Sequence, residues 1–247
     1  MRDPDAAHLA TAVRSAAGYR PDPDRPPVEL RLPFRGPWVT VRTPSERVPS
    51  HGTHFGGQTF AFDFVAVDPR RRTASVRDWR TVLATEPVDR FVGFGMPVLA
   101  PVDSRVVAVH DGEADHVARR SPLLLIPYAL TQGARLHEGV HAITGNHVVL
   151  ELEGQAVYVL LAHLRRGSVG VAPGDRVGAG AQVGTCGNSG NSTQPHLHVQ
   201  AMDSSSLPDS RGLSVVFLEY ALRHPEGADR VSRGIPRRRE VVEPVSS

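Results

Sequence analysis

His196 and His198 stand one residue apart in "GNSGNSTQPHLHVQ", residues 187–200, after a run of small and polar residues. In a strand, alternate side chains project to one face, so the two imidazoles share a surface. Such a pair makes half of a metal site or half of an acid–base site. Partners stand in three other stretches. "SHGTHFGGQTFAFDF", residues 50–64, sets His51 and His54 in a glycine-rich loop and Asp63 in the strand that follows. Phe60, Phe62 and Phe64 share one face of that strand and Asp63 takes the other, where a carboxylate is costly unless something pairs with it. "YVLLAHL" ends an apolar strand on His163, and "GNHVVLEL" opens another with Asn146 and His147. Taken singly, a turn accounts for Asp63 and a strand end for His163. Taken together, two histidines and an aspartate meet the three-ligand count of a catalytic zinc site with a fourth position open. The remaining histidines then serve proton transfer.

Such a set needs strands to hold it, and the chain supplies them. "VELRLPF", "PWVTVRTP", "TFAFDFVAV", "SRVVAVHDG", "NHVVLELEG", "AVYVLLAHL" and "HLHVQAM" are short apolar segments cut by Gly, Pro and Asp. This is a mainly β, mostly antiparallel pattern with frequent turns. "SVVFLEYAL", near 214–222, reads as a final strand or a helical turn. Residues 5–19 read as a short helix stopped by the prolines of "RPDPDRPP". We divide the chain into an arm (1–27), a single domain (28–225) with its motifs in 50–201, and a polar, mobile tail (226–247). Long insertions fall near 68–92 and 113–142, the second holding a helix or lid.

Composition removes several classes of function. All 28 basic residues are arginines, so lysine chemistry is excluded: no Schiff base, no phosphate-loop lysine and no biotinyl or lipoyl attachment. A net charge of +2 gives no argument for nucleic acid, and the "RRR" runs at 70–72 and 237–239 read as solvated surface. Cys186 is the only cysteine, which excludes an intramolecular disulfide and a cysteine-based zinc knuckle. The longest apolar run, "PLLLIPYAL", holds two prolines and is too short to insert in a membrane. The first thirty residues lack the apolar core of a secretory leader, so the chain as written is expected in the cytoplasm. An extracellular place follows only if the start or the export route is other than it reads. Oligomeric state is not legible.

The order "H-x8-D … AHL … GNSGNST-x-PHLH" resembles the lysostaphin-type zinc metallopeptidases, which cut peptide bonds in the cross-links and stems of peptidoglycan. "MPVLAPVDSRVVAV", "GNHVVLEL" and "VAPGDRVGAGAQVG" extend the resemblance over roughly residues 50–201. It implies an antiparallel β-sheet groove fold (the duplicated hybrid motif), with helical or loop insertions, and a zinc ion at the groove floor. Carried over residue by residue, the metal ligands are His54, Asp63 and His198, and the catalytic histidines are His163 and His196. In the family's commonest first motif the histidine lies four residues before the aspartate, where this chain has Thr59. The longer loop leaves two candidates: His54 is taken because "H-x-G" begins there, and His51 is the alternative.

The chemistry implied is metal-assisted hydrolysis of a peptide or of peptidoglycan. Zinc polarises the scissile carbonyl and lowers the pKa of its water from about 15.7 towards about 7. His163 or His196 takes the proton or hydrogen-bonds the oxyanion, and the sequence leaves open which does which. Two other readings compete. One is a non-enzymatic member of the fold that binds cell-wall material or regulates a hydrolase. The other is a histidine phosphocarrier, which needs no ligand of the Asp63 type.

Overall fold

The computed structural model describes residues 11–13, 15–121 and 140–245. Fourteen strands run through them: β1 Val28–Leu30, β2 Trp38–Arg42, β3 Phe62–Ala66, β4 Pro97–Leu99, β5 Ser104–His110, β6 Asn146–Leu152, β7 Tyr158–Leu164, β8 Arg176–Val177, β9 Gln182–Thr185, β10 Leu197–Met202, β11 Gly212–Leu213, β12 Val215–His224, β13 Gly227–Gly234 and β14 Val241–Pro244. Twelve form one sheet in the order β1-β12-β14-β2-β3-β10-β7-β6-β5-β8, with β11 on β10 and β13 on β12, while β4 and β9 pair separately. Pairing is antiparallel except between β1 and β12. The chain is therefore mainly β, as its alternating apolar segments predict.

One face of this sheet is dry. Trp38, Phe34, Phe62, Phe64 and Phe217 are fully buried there. Phe34 stacks on Trp38 at 4.7 Å, and Phe62 and Phe64 lie parallel at 5.8 Å with Phe217 edge-on to both. Burying one such ring contributes about 1.5–3 kcal/mol, so this cluster sets the register of β3. With Phe62 and Phe64 committed to the core, Asp63 must face the other way.

The C-terminal residues differ from the expected mobile tail. β13 completes a hairpin with β12, and β14 inserts between β12 and β2, where Val241 and Val242 are buried. β13 exposes nearly all of its side chains, so its polar composition concealed a paired strand. "SVVFLEYAL" is strand, not helix. The described part of the N-terminal arm is helical at 11–13 and 15–17.

Of the insertion 113–142, residues 122–139, with most of the expected helix or lid, lie outside the described residues; Val140–Thr144 is a short helix. The earlier half, 113–121, is stitched to the insertion 68–92. Glu86 and Ala118 exchange backbone hydrogen bonds, and Arg120 grips the buried Glu86 carboxylate through Nε and Nη2 at 2.7 and 2.6 Å. The same segment holds the loop before His196: Asp115 accepts from Asn188 N at 2.7 Å, and Asn188 Nδ2 donates to His116 O at 2.7 Å.

Candidate metal centre

The floor of the centre is three adjacent strands. His198 on β10 pairs with Asp63 on β3 and with Ala162 on β7, so Asp63 and His198 share the face opposite the aromatic core. His198 Nδ1 lies 3.0 Å from Asp63 Oδ1. His196, just before β10, points the same way, with Nε2 3.6 Å from Asp63 Oδ1.

His163 arrives by a different device. Across β6 and β7, Asn146 pairs with Leu164 and His147 with Ala162, so His163 is an extra, unpaired residue. Its φ of +63° is left-handed, a conformation costing a non-glycine residue about 1–2 kcal/mol. Regular alternation would send His163 to the face opposite Ala162. The bulge turns it back, to 4.6 Å from the His196 ring and 5.8 Å from the His198 ring.

The histidine that the loop brings to Asp63 is His51, not His54. Ser50 N bonds to Thr59 O, closing the loop, and Gly52, Gly56 and Gly57 turn it with φ of +78°, +65° and +77°. This path brings His51 Nε2 to 3.1 Å from Asp63 Oδ2. His54 is left on the outer side, where Nδ1 meets Thr59 Oγ1 at 3.0 Å and the ring meets Tyr19 edge-on at 5.5 Å. His54, the expected ligand, therefore stands outside this cluster, and the alternative three residues earlier, His51, stands in it. His51, Asp63 and His198 each offer a ligand atom, and these atoms lie within 4.8 Å of one another.

Hydrogen bonds on the far side of each ring fix which nitrogen faces Asp63. Gln200 Nε2 donates to Gly56 O at 2.7 Å, so its Oε1, 2.9 Å from His198 Nε2, accepts from that nitrogen. Ser50 Oγ lies 3.2 Å from Gln58 O and 3.0 Å from His51 Nδ1, and so holds the far side of that ring. Both histidines then turn their other nitrogens, His198 Nδ1 and His51 Nε2, to the Asp63 carboxylate at 3.0 and 3.1 Å. Two imidazoles and a carboxylate converging on one point suit zinc better than magnesium or calcium. The residues present fit the metal.

His163 and His196 are held in a matching way. Each Nδ1 donates to a backbone carbonyl at 2.9 Å, His163 to Ser189 O and His196 to Gln194 O. Each Nε2 keeps its lone pair. Burial first pushes both imidazoles below the ordinary histidine range; His196 and His198 add to it at His163, while at His196 Asp63 opposes it and His198 and Arg42 add to it. Burial opposes ionisation of Asp63, yet His51, His196 and His198 hold its carboxyl well below the usual range.

The loop 187–195 supplies this support. Ser189 Oγ donates to Leu164 O and accepts from Asn146 N. A side chain on Gly190 would lie 2.3 Å from Gly145 N, so only glycine allows the two backbones to meet. The sequence reading missed Ser50, Gln200 and Arg42; for Gln200 the signal was present, since it lies two residues after His198 on the same strand face. His147 does not join the centre. It stacks with His110 and His141 in a separate group, and Asn146 is spent on the backbones of Gly112, Glu113 and Leu164.

Comparison with known proteins adds the family. Residues 127–209 match the model of Peptidase family M23. No curated protein matches the chain. Among solved structures, the catalytic domain of lysostaphin from Staphylococcus simulans is 18% identical, with 72% of this chain and 88% of that one covered and a TM-score of 0.37. The catalytic domain of a prophage-encoded M23 protein, EnpA, from Enterococcus faecalis is 18% identical over 62% of this chain and 73% of that one, with a TM-score of 0.35. A zinc-containing peptidase from Vibrio cholerae is 19% identical over 73% of this chain but only 35% of that one, at 0.36. The segment 127–209, which supplies His163, His196 and His198, thus matches the model of Peptidase family M23.

Proposed function

We propose that the chain is a zinc-dependent endopeptidase, with His51, Asp63 and His198 holding the metal and peptidoglycan peptides as the substrate class. The observation that carries this reading is the convergence of His51 Nε2 and His198 Nδ1 on the Asp63 carboxylate, at 3.1 and 3.0 Å. Zinc bound there supplies Lewis acidity, polarising an amide carbonyl and making a water molecule a stronger acid.

The protein's own groups do the rest. His163 and His196 are neutral in the cleft and take up a proton at Nε2, while the backbone carbonyls of Ser189 and Gln194 hold their rings in place. With rings 4.6 Å apart, one imidazolium discourages a second, so the pair carries one proton at a time. The protonated member then donates, to the amide leaving group or to the carbonyl oxygen. Ile143, Thr144, Asn191 and Thr193 line the cleft, with Asn191 N bonded to Ile143 O at 2.9 Å. The match of residues 127–209 to Peptidase family M23 supports a peptide substrate. Elemental analysis of protein purified without chelator, beside digestion of several purified cell-wall types, tests the proposal. One zinc per chain with new peptide termini is the expected result, and absence of zinc uptake overturns it.

A further inference from the structure

Among the described residues lining the cleft, Arg42 alone carries a permanent positive charge, and neither the ligand set nor the proton carriers account for it. Its position is built by a second bulge. β2 pairs Thr40 with Phe64 and then Arg42 with Asp63, skipping Val41. Without the irregularity Val41 would stand opposite Asp63; with it, a guanidinium does.

Arg42 is a poor counter-ion for Asp63. Its Nε lies 3.6 Å from Asp63 Oδ2, longer than a hydrogen bond, and the side chain is 50% exposed. Three imidazoles already surround that carboxylate. Where this protein does use arginine to satisfy a buried carboxylate, at Arg120 and Glu86, two bonds of 2.6 and 2.7 Å form. At Arg42, by contrast, no acceptor among the described residues lies within hydrogen-bond reach of the guanidinium. Its planar fork of donors, charged at every working pH and shaped for a carboxylate, is left facing the cleft.

We infer that Arg42 is a substrate-recognition residue that binds a free carboxylate on the peptide, and that the protein takes peptides carrying that carboxylate beside the cleaved bond. The inference rests on the hydrolase reading for the position of that bond. Arg42 is a cross-strand neighbour of Asp63, and an extended peptide advances about 3.3 Å per residue, which places the carboxylate within about two residues of the scissile amide. An acidic side chain and a chain-terminal carboxylate present the same chemistry.

The test uses the full zinc-loaded chain and peptides of one backbone in two pairs: Glu against Gln beside the cleaved bond, and C-terminal acid against amide. kcat/KM is measured for each, and equilibrium binding is measured on His163→Ala. A preference of at least about tenfold for the acid in one pair is expected, the factor that a charge-assisted hydrogen bond supports. Arg42→Gln should bring the ratio to within about twofold in turnover and in binding, and Arg42→Lys should fall between. Zinc content should be the same in all three proteins. Equal use of acid and neutral peptides by the unaltered protein, a preference that survives Arg42→Gln, or loss of zinc in Arg42→Gln overturns the inference. Cleavage without charge preference would leave the hydrolase reading standing. Arg42-dependent binding of acid peptides without any cleavage would sink that reading and retain the carboxylate site.

Discussion

Gln200 Oε1 accepts a hydrogen bond from His198 Nε2 at 2.9 Å, and this bond turns His198 Nδ1 to Asp63. Gln200 in turn is anchored to Gly56 O in the loop that carries His51. One side chain thus ties the last strand of the centre to its first loop. Gly57 is part of that tie, because a Cβ there would lie 2.8 Å from Gln200 Nε2. Gln200→Leu should lower zinc affinity about 10–100-fold, the usual effect of losing a group that orients a metal-binding imidazole. Competition with a chelator of known affinity measures it, and unchanged affinity would remove Gln200 from the centre.

The two loop histidines separate cleanly. His51→Ala should lose zinc and hydrolysis together, since two remaining ligands hold zinc poorly. His54→Ala should keep the metal, its ring being directed to Thr59 and Tyr19. Zinc content of the two purified variants decides the matter, and the reverse result would return the ligand role to His54.

Metal binding and proton transfer should also come apart. His163→Ala and His196→Ala are expected to retain zinc while turnover falls by about 10²–10⁴. Because the two rings share one proton, the double variant should fall by less than the product of the single effects. Loss of metal in either single variant would contradict these roles.

A further expectation concerns acid stability. Burial pushes His147 down to about 4, with His141 and His110 adding to it and the Gly145 hydrogen bond opposing it. Below about pH 6.5 the unfolded chain binds a proton that the folded chain refuses. The contribution of His147 to stability should therefore decline as pH falls from about 6.5 to about 4 and then level off, by up to about 3 kcal/mol. Denaturant midpoints at several pH values should show a shallower slope for His147→Asn than for the unaltered protein. Equal slopes would mean that His147 titrates normally.

Much of this architecture is legible in local sequence. Alternation of side chains along a strand is a property of one segment, so it sets Asp63 opposite Phe62 and Phe64 and turns His196 and His198 to one face before any partner is known. The mainly β class and the strands around these residues follow in the same way, and the absence of lysine needs no structure at all. What tertiary structure decided are relations between segments. His163 faces the centre because β7 carries one residue more than β6 opposite it, and Arg42 meets Asp63 because β2 skips Val41. Neither surplus residue is marked in its own strand, since a bulge belongs to a pair of strands and not to either one. The choice of His51 over His54 depends on the Ser50–Thr59 closure and three left-handed glycines, a path that spacing from Asp63 does not encode. β14 lies inside the sheet because β12 and β2 leave a place between them, a vacancy that exists only once both strands have folded.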